Sequence, residues 1–161
     1  MVTVCSENVL MQGPSVGAAY ATAAGMFARI GVKLEWRGRS RCPSGALHIS
    51  LSMRTPESLR PGALAYAFPY ERMHIVVYFD RVKSAVESDR SATILLAHVF
   101  VHEITHILQG DERHSASGVM KAKWDNDDFR SMFARPLPFT SEDVDCINQG
   151  MIYRGTLPAS R

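Results

Sequence analysis

The chain contains no internal repeat and no low-complexity tract. Its three cysteines, Cys5, Cys42 and Cys146, include no C-x-x-C pair. That spacing excludes a cysteine-built metal site, and an odd count permits at most one disulfide within the chain. Buried thiols are the simpler expectation, with one bridge and one free thiol as the alternative. Long hydrophobic runs are missing too. No apolar segment approaches the roughly 18–20 residues of a membrane span, and the most apolar stretch lies around residues 92–101. An excess of charge of one sign is also absent. Eighteen Lys and Arg against sixteen Asp and Glu leave a formal charge of +2, too mild and too scattered to argue for nucleic acid. Arg37, Arg39 and Arg41 form a local basic stretch that reads as a solvated loop. Residues Met1 to Cys5 lack a charged segment leading into a long apolar one, so no signal peptide is expected in the chain as written. What is present is an ordinary mixture for a water-soluble fold. The 161 residues suit one domain, 1–161, with a core of normal size.

Periodicity supplies the elements. Pro14-Ser15 opens an alanine-rich segment with helical spacing through Met26, Phe27 and Ile30, and Gly31 stops it. Val32 to Trp36 alternates as a half-buried strand, and Arg37 to Gly45 reads as an irregular loop. Leu47 to Met53 alternates again. Ala63 to Phe68 and His74 to Asp80 are two further strands, with Pro69 to Arg72 as the turn between them. His48 and His74 fall at strand positions with solvent-facing or edge roles and are not counted as ligands. Asn126 to Phe133 is a short helix, and Thr140 caps a C-terminal helix that ends before Gly155.

The chemistry concentrates in His102-Glu103-Ile104-Thr105-His106. Histidines four apart on a helix share one face, about 5–6 Å between Cβ atoms, and can converge on a tetrahedral Zn²⁺. Glu103 follows the first histidine and can reach a zinc-activated water without ligating, as a general base must. The apolar residues before it, Thr93 to Val101, make a buried helix the better reading than a casual surface pair.

A catalytic zinc takes a third protein ligand. Gly110 can end the helix in the left-handed conformation, and Asp111-Glu112-Arg113 would then return His114 toward the metal. Asp111, Glu112 and the later acids Asp125, Asp127 and Asp128 are competing oxygen ligands. His98 lies one turn before His102, but three histidines in a line on one helix are too extended for a single tetrahedral ion, so it reads as a core residue or a support for the ligands.

The run His102-Glu103-x-x-His106-x-x-x-Gly110-x-x-x-His114, closed by Gly118-Val119-Met120, resembles a metzincin-type zinc peptidase with its third histidine and Met-turn. It is similar to a group of small bacterial metzincin-like proteins, and the likeness extends weakly to Gly31–Trp36 and Val76–Val82. It departs from the usual spacing: glycine is displaced by one residue and the third histidine by two. The resemblance implies an α+β, zincin-like fold in which a mixed twisted sheet accompanies an N-terminal helix, a long active-site helix and a C-terminal helix. It implies Zn²⁺ as cofactor, His102, His106 and His114 as metal ligands, Glu103 as catalytic base, and Met120 in a turn beneath the metal. It further implies an extracytoplasmic setting and a peptide or protein substrate. A monomer without nucleic-acid or membrane partners is expected. Trp124 and Ala122 are candidates for a substrate pocket, and Tyr153 for an oxyanion helper or fifth ligand. The strand from Ala63, or the one after it, is the candidate rim on which an extended peptide would pair. Two other readings stay open: a metal-dependent ribonuclease of three-histidine type, and a non-catalytic protein that zinc stabilises.

Overall fold

The computed structural model describes residues 1–7, 14–67 and 73–155. In chain order these form β1 (Val2–Ser6), α1 (Pro14–Ala28), β2 (Leu34–Gly38), β3 (Leu47–Ser52), β4 (Ala65–Ala67), β5 (His74–Tyr78), α2 (Phe79–Ser84), α3 (Asp89–Gln109), α4 (Asn126–Ala134) and α5 (Ser141–Tyr153). The sheet runs β2-β1-β3-β5-β4. β1 lies parallel to β2 and β3, and β3 parallel to β5. Only β4, at the edge, pairs antiparallel.

The pleat of β3 sorts its residues between two faces. Leu47, Ile49 and Leu51 are buried, whereas His48, Ser50 and Ser52 alternate with them and are half-buried. The apolar face, continued by Val4, Ile75 and Val77, forms one core with Phe27 of α1 and Leu96, Phe100 and Ile104 of α3. Tyr20 of α1 stacks on both Trp36 of β2 and Phe100 of α3, which also touch each other, and donates a 2.8 Å hydrogen bond to Ser6 Oγ at the end of β1.

Several sequence expectations change. β1 was not anticipated, yet it sits between β2 and β3. The strand expected over His74–Asp80 ends at Tyr78, and the chain turns at once into α2. There Asp80 accepts hydrogen bonds from both the backbone N–H and the hydroxyl of Thr55. The strand expected from Ala63 to Phe68 shortens to Ala65–Ala67, and the turn expected at Pro69–Arg72 lies outside the described residues. Of the loop expected over Arg37–Gly45, Arg37 and Gly38 instead complete β2, and Arg39–Arg41 form a 3-10 turn.

Cys5 and Cys42 are bridged rather than free, with Cα atoms 6.0 Å apart and a sequence separation of 37. Cys146 is a free thiol on α5. Closing a loop of that length removes chain entropy worth about 3–4 kcal/mol from the unfolded state. The bridge ties the loop after β2 to the neighbouring strand.

α3 organises everything else. Ser88 caps it by accepting the Ser91 N–H, and Gly110 ends it at φ +77°. By length and composition it is the one described helix that could cross a membrane, but two-thirds of its most apolar window is buried inside the protein. It is a core helix, covered by α1, α5 and the sheet. The crossing with α5 is close: a Cβ on Gly150 would collide with the Leu108 carbonyl oxygen.

Candidate metal centre

The sequence of α3 places His102, Glu103 and His106 on its last two turns, where the apolar core gives way to a cleft. At Gly110 the chain reverses, and the Gly110 N–H still donates to the His106 carbonyl at 2.9 Å. Asp111 then makes a tight turn, its Oδ1 accepting the Arg113 N–H at 3.0 Å. The turn delivers His114 to the pair on α3. Its ring centre lies 5.2 Å from that of His102 and 4.8 Å from that of His106. One nitrogen from each of the three rings falls within 4.8 Å of the other two.

Two backbone carbonyls fix how the rings present themselves. His102 Nδ1–H donates to the Val119 carbonyl at 2.9 Å, and His106 Nδ1–H to the Asp111 carbonyl at 3.2 Å. With Nδ1 protonated in both, both Nε2 atoms carry lone pairs. These face each other at 3.0 Å, close to the about 3.3 Å that separates two ligands of a tetrahedral ion with bonds of about 2.0–2.1 Å. Two lone pairs at that distance repel unless a cation lies between them. The donor set therefore fits a metal ion, on the geometry of the nitrogens alone. Burial, followed by the neighbouring His106, pushes His102 down to about 4. Burial and then His114 lower His106 as well. Both rings are thus neutral and available to a metal at ordinary pH.

Glu103 is half-buried beside them, and burial pushes its carboxyl up to about 7. A carboxyl poised there can take and return a proton near neutral pH.

The loop carrying His114 is held by polar contacts that sequence spacing did not reveal. Asp143, fully buried at the start of α5, accepts from Arg113 at 2.8 Å and from the Ser115 hydroxyl at 2.5 Å. Its other oxygen accepts the Thr140 N–H at 2.8 Å, closing a capping box. The residues on either side of His114 are in this way anchored to α5. The only sequence hint was the Thr140…Asp143 cap, which says nothing of the loop it grips.

Beside His102, Gly118 at φ +77° turns the chain through Val119 and Met120, both fully buried. Any Cβ at Gly118 would strike the Pro138 carbonyl oxygen. The Ser115 N–H donates to the Met120 carbonyl at 2.8 Å, so this turn closes back on the residue after His114. Val119 supplies the carbonyl that orients His102.

The remaining candidates separate clearly. Among the described residues, Asp111 and Glu112 do not join the histidine group. Asp125 and Asp128 instead cap α4 and bind Lys121, and Asp127 pairs with Arg130. His98 is buried and bridges two segments: Nδ1–H donates to the Ile94 carbonyl at 2.8 Å, and Nε2 accepts the Leu137 N–H at 3.1 Å. Both of its nitrogens are spent. Tyr153 is 88% exposed at the end of α5 and does not line the cleft, which removes the oxyanion role.

The cleft itself encloses about 1550 Å³. One wall is the stretch leading into and along edge strand β4, from Ala63 to Tyr66; the other includes Trp124, Ala122 and Phe129. The Trp124 ring stands edge-on to those of His98 and His102, at 6.3 and 5.6 Å. Its Nε1–H is buried with no hydrogen-bond partner.

Neither a family model nor a curated protein matches the sequence. Among solved structures, the archaemetzincin of Methanopyrus kandleri aligns with a TM-score of 0.65 over 94% of this chain and 96% of its own. The fold is that of archaemetzincin. Sequence identity is 10%, so the likeness is one of architecture. As in the metzincin reading of the sequence, a mixed sheet, an N-terminal helix, a long central helix and a C-terminal helix make up the archaemetzincin-like fold found here.

Proposed function

We propose that this chain is a zinc-dependent endopeptidase, with His102, His106 and His114 as metal ligands and Glu103 as general base. The observation that carries the reading is the pair of converging Nε2 lone pairs, each fixed by a backbone carbonyl, with Glu103 beside them at the floor of a long cleft. Zinc, when bound, supplies Lewis-acid activation of water and polarisation of the scissile carbonyl.

The chain's own residues do the rest. Glu103 accepts the proton of the attacking water at a carboxylate oxygen and passes it to the amide nitrogen as the C–N bond breaks. The high proton affinity that burial gives this carboxyl suits both halves of that transfer. Val119 and Asp111 hold the ligand tautomers through their carbonyls, and Met120 lies buried in the turn that carries Val119. β4 is an edge strand along the cleft wall, so an extended peptide adds to it by backbone hydrogen bonds and crosses the histidines. Trp124 contributes an apolar wall and an unpaired N–H donor for a substrate carbonyl. The Cys5–Cys42 bridge fits an oxidising, extracytoplasmic compartment.

The test is cleavage of a quenched-fluorescent peptide library by the zinc-loaded protein. Cleavage that stops on chelation, returns with zinc and is missing from Glu103→Gln supports the reading. If instead Glu103→Gln retains full cleavage, the mechanism falls. If no peptide is cut while chelation lowers the melting temperature, zinc stabilises a binding protein instead.

A further inference from the structure

A second group of metal-ligating side chains lies on the other face of the sheet. His48 opens the outward-facing set of β3 and His74 that of β5, and the parallel register pairs them side by side. Their rings stack at 5.0 Å between centres with planes 26° apart. Glu7 follows β1, where its backbone N–H donates to the Ile49 carbonyl at 3.0 Å, so its side chain reaches the same spot. One donor atom from each of Glu7, His48 and His74 lies within 4.8 Å of the other two, and all three residues are half-buried. Ile49 and Ile75, next along the two strands, point the opposite way into the core beneath α3. The cluster is therefore separated from the α3 histidines by the thickness of the sheet.

The contact between Glu7 and His48 has the spacing of two ligands rather than the geometry of a hydrogen bond. Oε1 of Glu7 is 3.2 Å from Nδ1 of His48, again close to the about 3.3 Å expected between ligands of a tetrahedral ion. Yet Nδ1 of His48 is buried and makes no hydrogen bond. A ring nitrogen beside a carboxylate oxygen, with a second imidazole stacked on that ring, is a donor set that a shared cation would organise. Cys5, paired in register with His48, is bound in the disulfide and is not available as a ligand.

We propose that Glu7, His48 and His74 form a second binding site for a divalent transition-metal ion of the zinc class. Two imidazoles and one carboxylate suit such ions better than they suit calcium or magnesium, which prefer all-oxygen shells. The ion joins the end of β1 to the starts of β3 and β5, three neighbouring strands that carry the core residues under α3. Its role is to clamp the sheet. Three protein ligands leave one position for water.

The experiment is zinc per chain by elemental mass spectrometry after saturation with zinc and gel filtration. Wild type, His48→Ala, Glu7→Gln and the double variant His102→Ala/His106→Ala are compared. The expected results are two zinc ions for wild type and one for each variant. Cobalt loaded into the double variant gives a visible absorption band from the sheet site alone, whatever becomes of the α3 site. The double variant also gains melting temperature on adding zinc, and adding His48→Ala to it abolishes that gain. One zinc per wild-type chain, lost from the double variant and kept by His48→Ala and Glu7→Gln, overturns the proposal. So does a colourless cobalt-treated double variant that remains folded by circular dichroism. Glu7→Gln sits beyond the end of β1 and guards against a His48→Ala chain that simply fails to fold.

Discussion

On α3, His102 and His106 meet because a helix of 3.6 residues per turn returns every fourth side chain to one face. On the sheet, His48 and His74 meet only because β3 and β5 run parallel in one particular register. The first pair forms wherever the helix forms. The second depends on the whole sheet, and a slip of one residue would send one ring to the core face and part the two. Their third members differ in the same way. His114 comes from a loop gripped by Asp143, whereas Glu7 comes from the continuation of a strand. Helical clusters can thus be specified locally and tuned by loops; sheet clusters are specified by topology and come with the fold.

The largest expected effect lies at the helical cluster. Glu103→Gln should lower peptide turnover by about 10²- to 10⁴-fold while zinc content stays as in wild type, measured by elemental analysis of the assayed samples. His106→Ala should lose both together, and turnover surviving without zinc would break the proposed division of roles.

Asp143→Asn probes the loop. It weakens the grip on Arg113 and Ser115, with a cost of about 1.5–3 kcal/mol for hydrogen bonds to a charged group. Zinc affinity should fall about 10- to 100-fold, as for other residues that support metal ligands. Urea denaturation and competition with a chelator read the two effects. A loss of stability with zinc affinity intact would show that the loop holds His114 without Asp143.

His98→Phe comes next, because it leaves the Leu137 N–H without its acceptor; about 1–2 kcal/mol is expected, with zinc content unchanged. Its pH dependence has a definite sign. Burial lowers the pKa of His98 below the unfolded value of 6.5, so the unfolded chain binds the proton first. The contribution is complete above about pH 6.5 and declines as the pH falls toward the folded pKa. In zinc-saturated samples His98→Phe should flatten that part of the stability profile. An unaltered slope would reassign it to other groups.

Thr140→Ala should have the smallest effect, about 1 kcal/mol for a lost N-cap. It tests whether α5 must be capped for Asp143 to act. A fall in zinc affinity alongside the small loss of stability would link the cap to the loop.

The same contrast explains what the sequence could reveal. His102, Glu103 and His106, the glycine stop and the return to His114 are all visible in the sequence, because helix period and turn chemistry act over a few residues. The N-terminal, central and C-terminal helices were equally plain. β1 was not, since Val2, Val4, Cys5 and Ser6 are all buried and such a strand shows little of the alternation that marks a half-exposed one. The pairing of Cys5 with Cys42 followed from that missing strand. His48 and His74 had the right chemistry, but their neighbourhood is set by pairing order, which their own residues do not encode. The contact between Arg113 and Asp143 was not legible for the same reason: the two are far apart in the chain and brought together by the packing of α5 on α3.

That packing also carries a length. Gly150 lets the backbone of α5 touch Leu108, two residues after His106, and no other residue fits there. Seven residues earlier on the same helix stands Asp143, roughly 10 Å away at 1.5 Å per residue. α5 therefore works as a ruler with its zero mark at Gly150. Sliding it along α3 by a single residue would drive a side chain into the Leu108 carbonyl, so the position of His114 is measured out from a point on the helix that bears its two partners.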